Sequence, residues 1–256
     1  MRAMKNFKHL FTTLAVLTLI TFGPSPAIGA DPAGGAAKIR ALVVTGGHDF
    51  EKEPFFAMFK SFADVTVQAA EHPKAQALFR PDAARGYDVL VLYDMWQKID
   101  DEAKASFVNL LKDGKGLVVM HHAIANYSDW DQYAEIVGAK YYLKKVTVNG
   151  VEKGPSFWKH DVKFTVRIAD PTHPVTRGLK DFEIHDETYN LFDVQPGVKP
   201  LLTATEPTSG KTIGWAKEYE KSRLVYIQLG HDHFAYENPS LRRLVQQAIR
   251  WTARKD

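Results

Sequence analysis

Five histidines stand where chemistry is easiest to build. The stretch Gly116-Leu-Val-Val-Met-His-His-Ala-Ile-Ala125 runs four apolar residues straight into His121 and His122. The pattern recurs in Ile39-Arg-Ala-Leu-Val-Val-Thr-Gly-Gly-His48 and in Arg223-Leu-Val-Tyr-Ile-Gln-Leu-Gly-His-Asp-His233. A further run, His185-Asp-Glu-Thr-Tyr189, adds two carboxylates and a phenol. Neutral imidazole and carboxylate are the ligands of zinc and similar divalent ions, and they are also the groups that move protons near neutral pH. One expectation is therefore a divalent metal ion, zinc or similar, held by some of His48, His121, Glu187 and His231. The other is acid–base work by His121, His122, Glu187 and Tyr189. Each residue also has an ordinary role open to it. A strand-end histidine caps or faces solvent, His122 packs under the next helix, and Asp186-Glu187 forms a solvated turn. His231 and His233 alternate, so only one of them faces a site. His173, in Pro171-Thr-His-Pro174, reads as a turn residue, and His72 and His160 carry no signal.

The elements that must position these groups are legible from the same runs. Short apolar stretches bounded by glycine and followed by polar residues read as buried strands of a parallel sheet. In open α/β sheets ligands sit in the crevice beyond the carboxyl ends of such strands. The strand Tyr87–Tyr93 ends in Asp94-Met-Trp96 at that same edge. Gly47 (for close backbone approach), Asp94, Trp96, Asp232 (as an orienting partner) and His233 are accordingly candidate substrate contacts. Trp96, Trp130 and Trp158 offer faces for a sugar ring, or simply pack. Apolar faces predict helices over Glu53–Phe62, Asp100–Lys112, Asp129–Val137 and Pro239–Arg254. Strands alternating with helices specify a right-handed parallel α/β sheet. Between about residues 140 and 221 the pattern changes to short strands: Val146–Val148, Lys163–Ile168, Phe182–Ile184, Lys199–Ala204 and Lys211–Trp215. They predict an antiparallel excursion packed beside the sheet. The expected fold is one α/β domain over residues 38–254, a parallel sheet flanked by helices with a β-rich insertion.

Arg2, Lys5 and Lys8 precede an apolar run from Leu10 to Ile20 and a small-residue exit ending at Ala30. This is the pattern of a secretory signal peptide over residues 1–30, and it predicts a periplasmic or secreted protein with no stable membrane insertion after cleavage. Removing it takes away three positive charges and no negative ones, so the formal +3 falls to 0. The mature chain then shows no basic excess that would suit nucleic acid. It has no cysteine, which excludes disulfides and thiolate catalysis.

With these motifs in view, the chain resembles the ThuA-like (trehalose utilisation) family. Gly46-Gly47-His48, the strand ending in His121-His122, His173-Pro-Val-Thr-Arg-Gly-Leu179, Asp186-Glu187-x-Tyr189 and Gly230-His231-Asp232 carry the resemblance, from about residue 39 to 253. The family is similar in fold to class I glutamine amidotransferases, with flavodoxin-like sheets flanked by helices. Those enzymes place a cysteine at a sharp turn after a central strand; here Met120-His121-His122 stands at the comparable position, so glutamine hydrolysis is excluded. The resemblance implies a carbohydrate partner, a sugar or 3-keto-glycoside. The expected function is an exported enzyme that abstracts a proton beside a carbonyl, leading to isomerisation or elimination. A non-catalytic carbohydrate-binding protein and a metal-dependent hydrolase remain open. The usual glycosidase pair needs two acids across the scissile bond, which adjacent Asp186 and Glu187 serve poorly.

Overall fold

The computed structural model describes residues 37–256; the expected signal peptide lies outside the described residues. Four strands rich in Val, Ile and Leu form the parallel heart: β1 (Ile39–Gly46), β2 (Val65–Glu71), β3 (Val89–Asp94) and β4 (Gly116–Met120). Every residue of β3 and β4 is buried, as expected of strands covered on both faces. Helices α1 (Lys52–Lys60), α2 (Asp101–Lys112) and α3 (Asp131–Val137) follow β1, β3 and β4. Asp100 caps α2 by accepting the Ala103 N–H at 2.8 Å. Gly138 ends α3 in the left-handed conformation that a residue with a side chain resists.

Two hairpin-sized ribbons follow α3: β5 (Ala139–Lys140), which pairs with β10 (Asp193–Val194), and β6 (Val146–Val148) with β7 (Val151–Lys153). The long strands β8 (Phe157–Ile168) and β9 (Phe182–Asn190) come next in the main sheet, then β11 (Lys199–Ala204), β12 (Thr212–Tyr219) and β13 (Ser222–Ile227). Helices α4 (His233–Tyr236) and α5 (Pro239–Thr252) close the chain.

The sheet has nine strands in the order β2-β1-β3-β4-β13-β12-β11-β8-β9. The first five are parallel, and every pairing from β13 onward is antiparallel. This corrects one expectation. The β-rich segment does not pack beside the sheet but continues it, because β12 pairs with β13 and carries the ladder outward. Alternation along the parallel strands feeds two cores. Val43, Val91 and Val118 pack under α1 and α5, while Leu42, Leu90 and Val119 pack under α2 and α3. Among the described residues no helix is long and apolar enough to cross a membrane.

Candidate active site

At the end of β4 the chain turns sharply. His121 adopts φ +51°, in the left-handed region, and opens a short 3-10 turn from His121 to Ala125. A residue other than glycine held there costs about 1–3 kcal/mol, which the surrounding structure must offset. The imidazole is buried, with Nδ1 2.7 Å from the carbonyl oxygen of Gln228, the residue after β13. A carbonyl only accepts, so Nδ1 carries a hydrogen and Nε2 is the free position. Nε2 points into a cluster: the Tyr189 hydroxyl at 2.9 Å, His231 Nδ1 at 3.2 Å and Glu187 Oε1 at 3.4 Å. His231 Nδ1 is 3.8 Å from Glu187 Oε2.

The acids arrive on a strand. The sequence placed Asp186 and Glu187 in a possible solvated turn; they lie instead in β9 and both are buried. Glu187 and Tyr189 share one side of that strand, which explains why both reach His121. From β8 comes a residue without a sequence signal, His160, whose Nδ1 is 2.6 Å from Glu187 Oε2. The register of β8 against β9 slips between Lys159 and Val162, and Asp161 sits at φ +57°. A bulge of this kind re-aims a side chain, here over the Glu187 carboxylate.

The electrostatics follow from burial and crowding. Burial lowers the His121 pKa, but the Glu187 and Asp186 charges override it and leave the group above its ordinary value. Burial likewise opposes the Glu187 charge, yet the His121 hydrogen bond and charge hold its carboxyl down at about 2. His231 is lowered to about 4 by burial and by the nearby His121. His122 is pushed well below the usual imidazole range, again by burial first and by the neighbouring histidines second.

The ligating atoms of His121, Glu187 and His231 all lie within 4.8 Å of one another. Four donors placed tetrahedrally at zinc–nitrogen distance are about 3.3 Å apart. The two histidine nitrogens, 3.2 Å apart, match that edge, while Glu187 turns Oε1 toward His121 at 3.4 Å and Oε2 toward His231 at 3.8 Å. Two histidines and a glutamate are a known three-ligand set for catalytic zinc, with one position left for water or substrate. The residues therefore fit a divalent ion, as a donor set and in spacing.

A cavity of about 180 Å³ adjoins the cluster, lined by His48, Met95, His122, Ile124, Ala125, Tyr141, Trp158, His160, Glu187 and Tyr189. Clefts for drug-sized ligands run to roughly 300–1,000 Å³, so this one suits a single ring. Trp158 is 53% exposed at its rim. On one wall His48 stacks on His122 with ring centroids 4.6 Å apart. His122 is only 4% exposed, and neither of its ring nitrogens has a hydrogen-bond partner among the described residues.

Several expected contacts lie elsewhere. Asp94 is fully buried and pairs with His72 at 3.0 Å, while Trp96 stacks on His72 at 5.5 Å. Asp94 alternates with Tyr93, which packs on the α1 and α5 side, and so faces the α2 and α3 layer; it does not line the cavity. Gly47 meets the backbone of Met95: a Cβ there would lie 2.6 Å from the Met95 carbonyl oxygen, so the glycine serves close packing of two strand exits. Asp232 caps α4 by accepting the Phe234 N–H at 2.9 Å, and His233 turns outward to Glu51 at 2.9 Å. His173 is buried against Trp251, a structural position.

An open sheet with a five-stranded parallel half flanked by helices, with polar groups gathered at the carboxyl ends of β1, β4 and β13, defines the flavodoxin-like, glutamine amidotransferase-like class. Within it the chain belongs to the ThuA family, described as trehalose utilisation, whose model matches residues 40–252. A ThuA-like protein from Parabacteroides merdae superposes with a TM-score of 0.68 at 19% identity, covering 84% of this chain and 90% of that one. Another from Bacteroides uniformis gives 0.64 at 18% identity, covering 87% and 95%. A glutamine amidotransferase from Thermotoga maritima gives 0.50 at 15% identity, covering 84% and 98%. No curated protein matches the chain in sequence. At these identities the structural likeness speaks to fold alone.

Proposed function

We propose that this chain is an exported sugar-processing enzyme that takes a proton from the carbon beside a carbonyl of a keto-glycoside. One observation carries this reading. His121, Glu187 and His231 converge beside the unpartnered His122 on a single-ring cavity bordered by Trp158 and Tyr141. The aromatic border suits the apolar face of a pyranose, and the family's sugar association agrees with it. His121, Glu187 and His231 would hold a divalent ion, which when bound would supply Lewis acidity.

The remaining roles belong to the chain. Glu187 is committed to His121, His160 and His231, so it is a poor base. His122 has both nitrogens free and takes the proton. The electron pair of that C–H bond enters the carbonyl system as an enolate. Return of the proton to the former carbonyl carbon, as the hydrogen of the adjacent hydroxyl passes to the former carbonyl oxygen, gives isomerisation. Re-formation of the carbonyl with expulsion of the glycosidic oxygen gives elimination, and protonated His122 returns its proton to the leaving oxygen. Tyr189, kept protonated by burial, donates its hydroxyl hydrogen within the cluster.

The test is solvent deuterium incorporation beside the carbonyl of 3-keto-glycosides, followed by NMR. Wild-type protein exchanges that hydrogen, and His122→Gln loses the exchange while still binding ion and sugar. Binding of keto- and unoxidised glycosides alike, with no exchange or turnover, would instead make the chain a carbohydrate-binding protein. Export is tested separately by N-terminal sequencing of the protein recovered from cell fractions; a mature start near residue 31 supports it, and an intact Met1 in the cytoplasm refutes it.

A further inference from the structure

Asp186 touches no cation and does not line the cavity, yet it is among the most enclosed charged groups of the protein, 2% exposed. Its carboxylate accepts three backbone hydrogens. Oδ1 takes the N–H of Glu187 at 2.8 Å and of His231 at 2.9 Å, and Oδ2 takes that of Gly230 at 2.8 Å. The carbonyls of the same loop are held from the opposite side. The Tyr93 hydroxyl lies 2.8 Å from Gly230 O, the Tyr236 hydroxyl 2.7 Å from His231 O, and the two hydroxyls 2.6 Å from each other, so their two hydrogens are shared among these three contacts. The peptide joining Gly230 to His231 is thus gripped at both ends, its oxygen by Tyr93 and its N–H by Asp186.

Backbone geometry at this loop explains why such a grip is needed. Gly230 has φ +116°, a conformation that residues with a side chain rarely adopt, although a Cβ would meet nothing closer than 3.6 Å. The loop therefore has a permissive residue immediately before His231 and no steric wall to fix it. Fixation comes from hydrogen bonds, and those to a carboxylate are roughly twice as strong as neutral ones. Asp186 bonds to the backbone of both arms of the cluster, joining the Glu187 N–H of β9 to the His231 N–H beyond β13.

We propose that Asp186 is a positioning residue: with Tyr93 and Tyr236 it clamps the loop at Gly230 and His231, and it ties the backbone of that loop to the backbone of Glu187, so that the two side chains meet His121 Nε2 at ligating distance. This rests on the reading of the cluster as a metal centre for its consequence, though not for its geometry. Groups that orient metal ligands from behind typically change affinity by about 10–100-fold when altered.

The experiment uses the purified chain with Co²⁺ alone as probe. Asp186→Asn keeps the shape but replaces one acceptor oxygen with an amide N–H₂, so at least one of the three backbone donors loses its partner. The expected result is a Co²⁺ affinity lowered by about 10–100-fold with a weakened visible absorption band, and amide hydrogen exchange at Gly230 and His231 that speeds up at least about tenfold. Tyr236→Phe, which removes one pole of the clamp, shows the same changes to a smaller degree. Unchanged exchange at both amides in Asp186→Asn overturns the proposal, whatever Co²⁺ does. If Asp186→Asn fails to fold, unchanged exchange at His231 in Tyr236→Phe overturns it equally. Wild-type protein that takes up no Co²⁺ refutes the metal centre, while the exchange data still decide the clamp.

Discussion

Replacing His121 by glycine and by alanine separates what its side chain does from what its backbone costs. Both substitutions remove the imidazole, its bond to Gln228 and its place in the cluster, so both are expected to abolish the ion binding proposed for His121, Glu187 and His231. They differ in one respect. Alanine must still hold φ +51°, whereas glycine adopts it freely. The native histidine already places a Cβ at this point, so the alanine methyl meets no new neighbour and only the backbone conformation distinguishes the two. At an ordinary position glycine is the less stable by about 0.5–1 kcal/mol. At a left-handed position the order reverses, because the conformation costs a residue with a side chain about 1–2 kcal/mol. His121→Gly is therefore expected to exceed His121→Ala by about 1 kcal/mol in urea unfolding, or by about 2–4 °C in midpoint temperature for a chain of this size. A midpoint for His121→Ala equal to or above that of His121→Gly would refute a strained turn at the end of β4.

Three further outcomes follow from the geometry. Asp94→Asn breaks a pair whose side chains are both fully buried, so it lowers stability by about 3–5 kcal/mol; Co²⁺ titration of the folded variant remains like wild type, and a specific loss of binding would return Asp94 to the site. Trp158→Ala, at a half-exposed rim position, changes the unfolding free energy by less than about 0.5 kcal/mol but weakens keto-glycoside binding in calorimetry; unaltered sugar affinity would remove Trp158 from the site. In metal-free protein the neutral His231 adds stability that is fully present above pH 6.5 and is lost as pH falls toward about 4, since only the unfolded chain takes up a proton in that window. At about 1.4 kcal/mol per pH unit the loss is at most about 3 kcal/mol. His231→Gln should flatten the stability profile between pH 6.5 and 4, and an identical slope in both proteins would contradict the half-buried, neutral ring.

The parallel half of the fold was legible because its strands are buried on both faces and read as unbroken apolar runs. His48, His121 and His231 follow those runs directly, and the structure brings them to one sheet edge. Where side-chain direction turned on a single residue, the sequence misled. Asp94 ends its strand at the expected edge, but its side chain is taken up by His72, just past β2, and does not line the cavity. His160 was silent because a bulge, invisible in composition, delivers it. The acids at 186 and 187 looked like a turn because β9 alternates poorly: Asp186 through Thr188 are all buried, one side in the cluster and the other in the clamp. The antiparallel strands were recognised, but nothing in a short strand says which neighbour it pairs with, so their continuation of the main sheet emerged only in three dimensions.

The central claim is that His121, Glu187 and His231 form a metal centre at the sugar-sized cavity. Elemental analysis of the chain, produced without a histidine tag and dialysed against trace zinc, tests it most directly. About one tightly held ion per chain, lost in Glu187→Gln while the unfolding transition is retained, is the predicted result. Wild-type protein that holds no ion and takes none up contradicts it, and would leave the cluster as a buried hydrogen-bonded network.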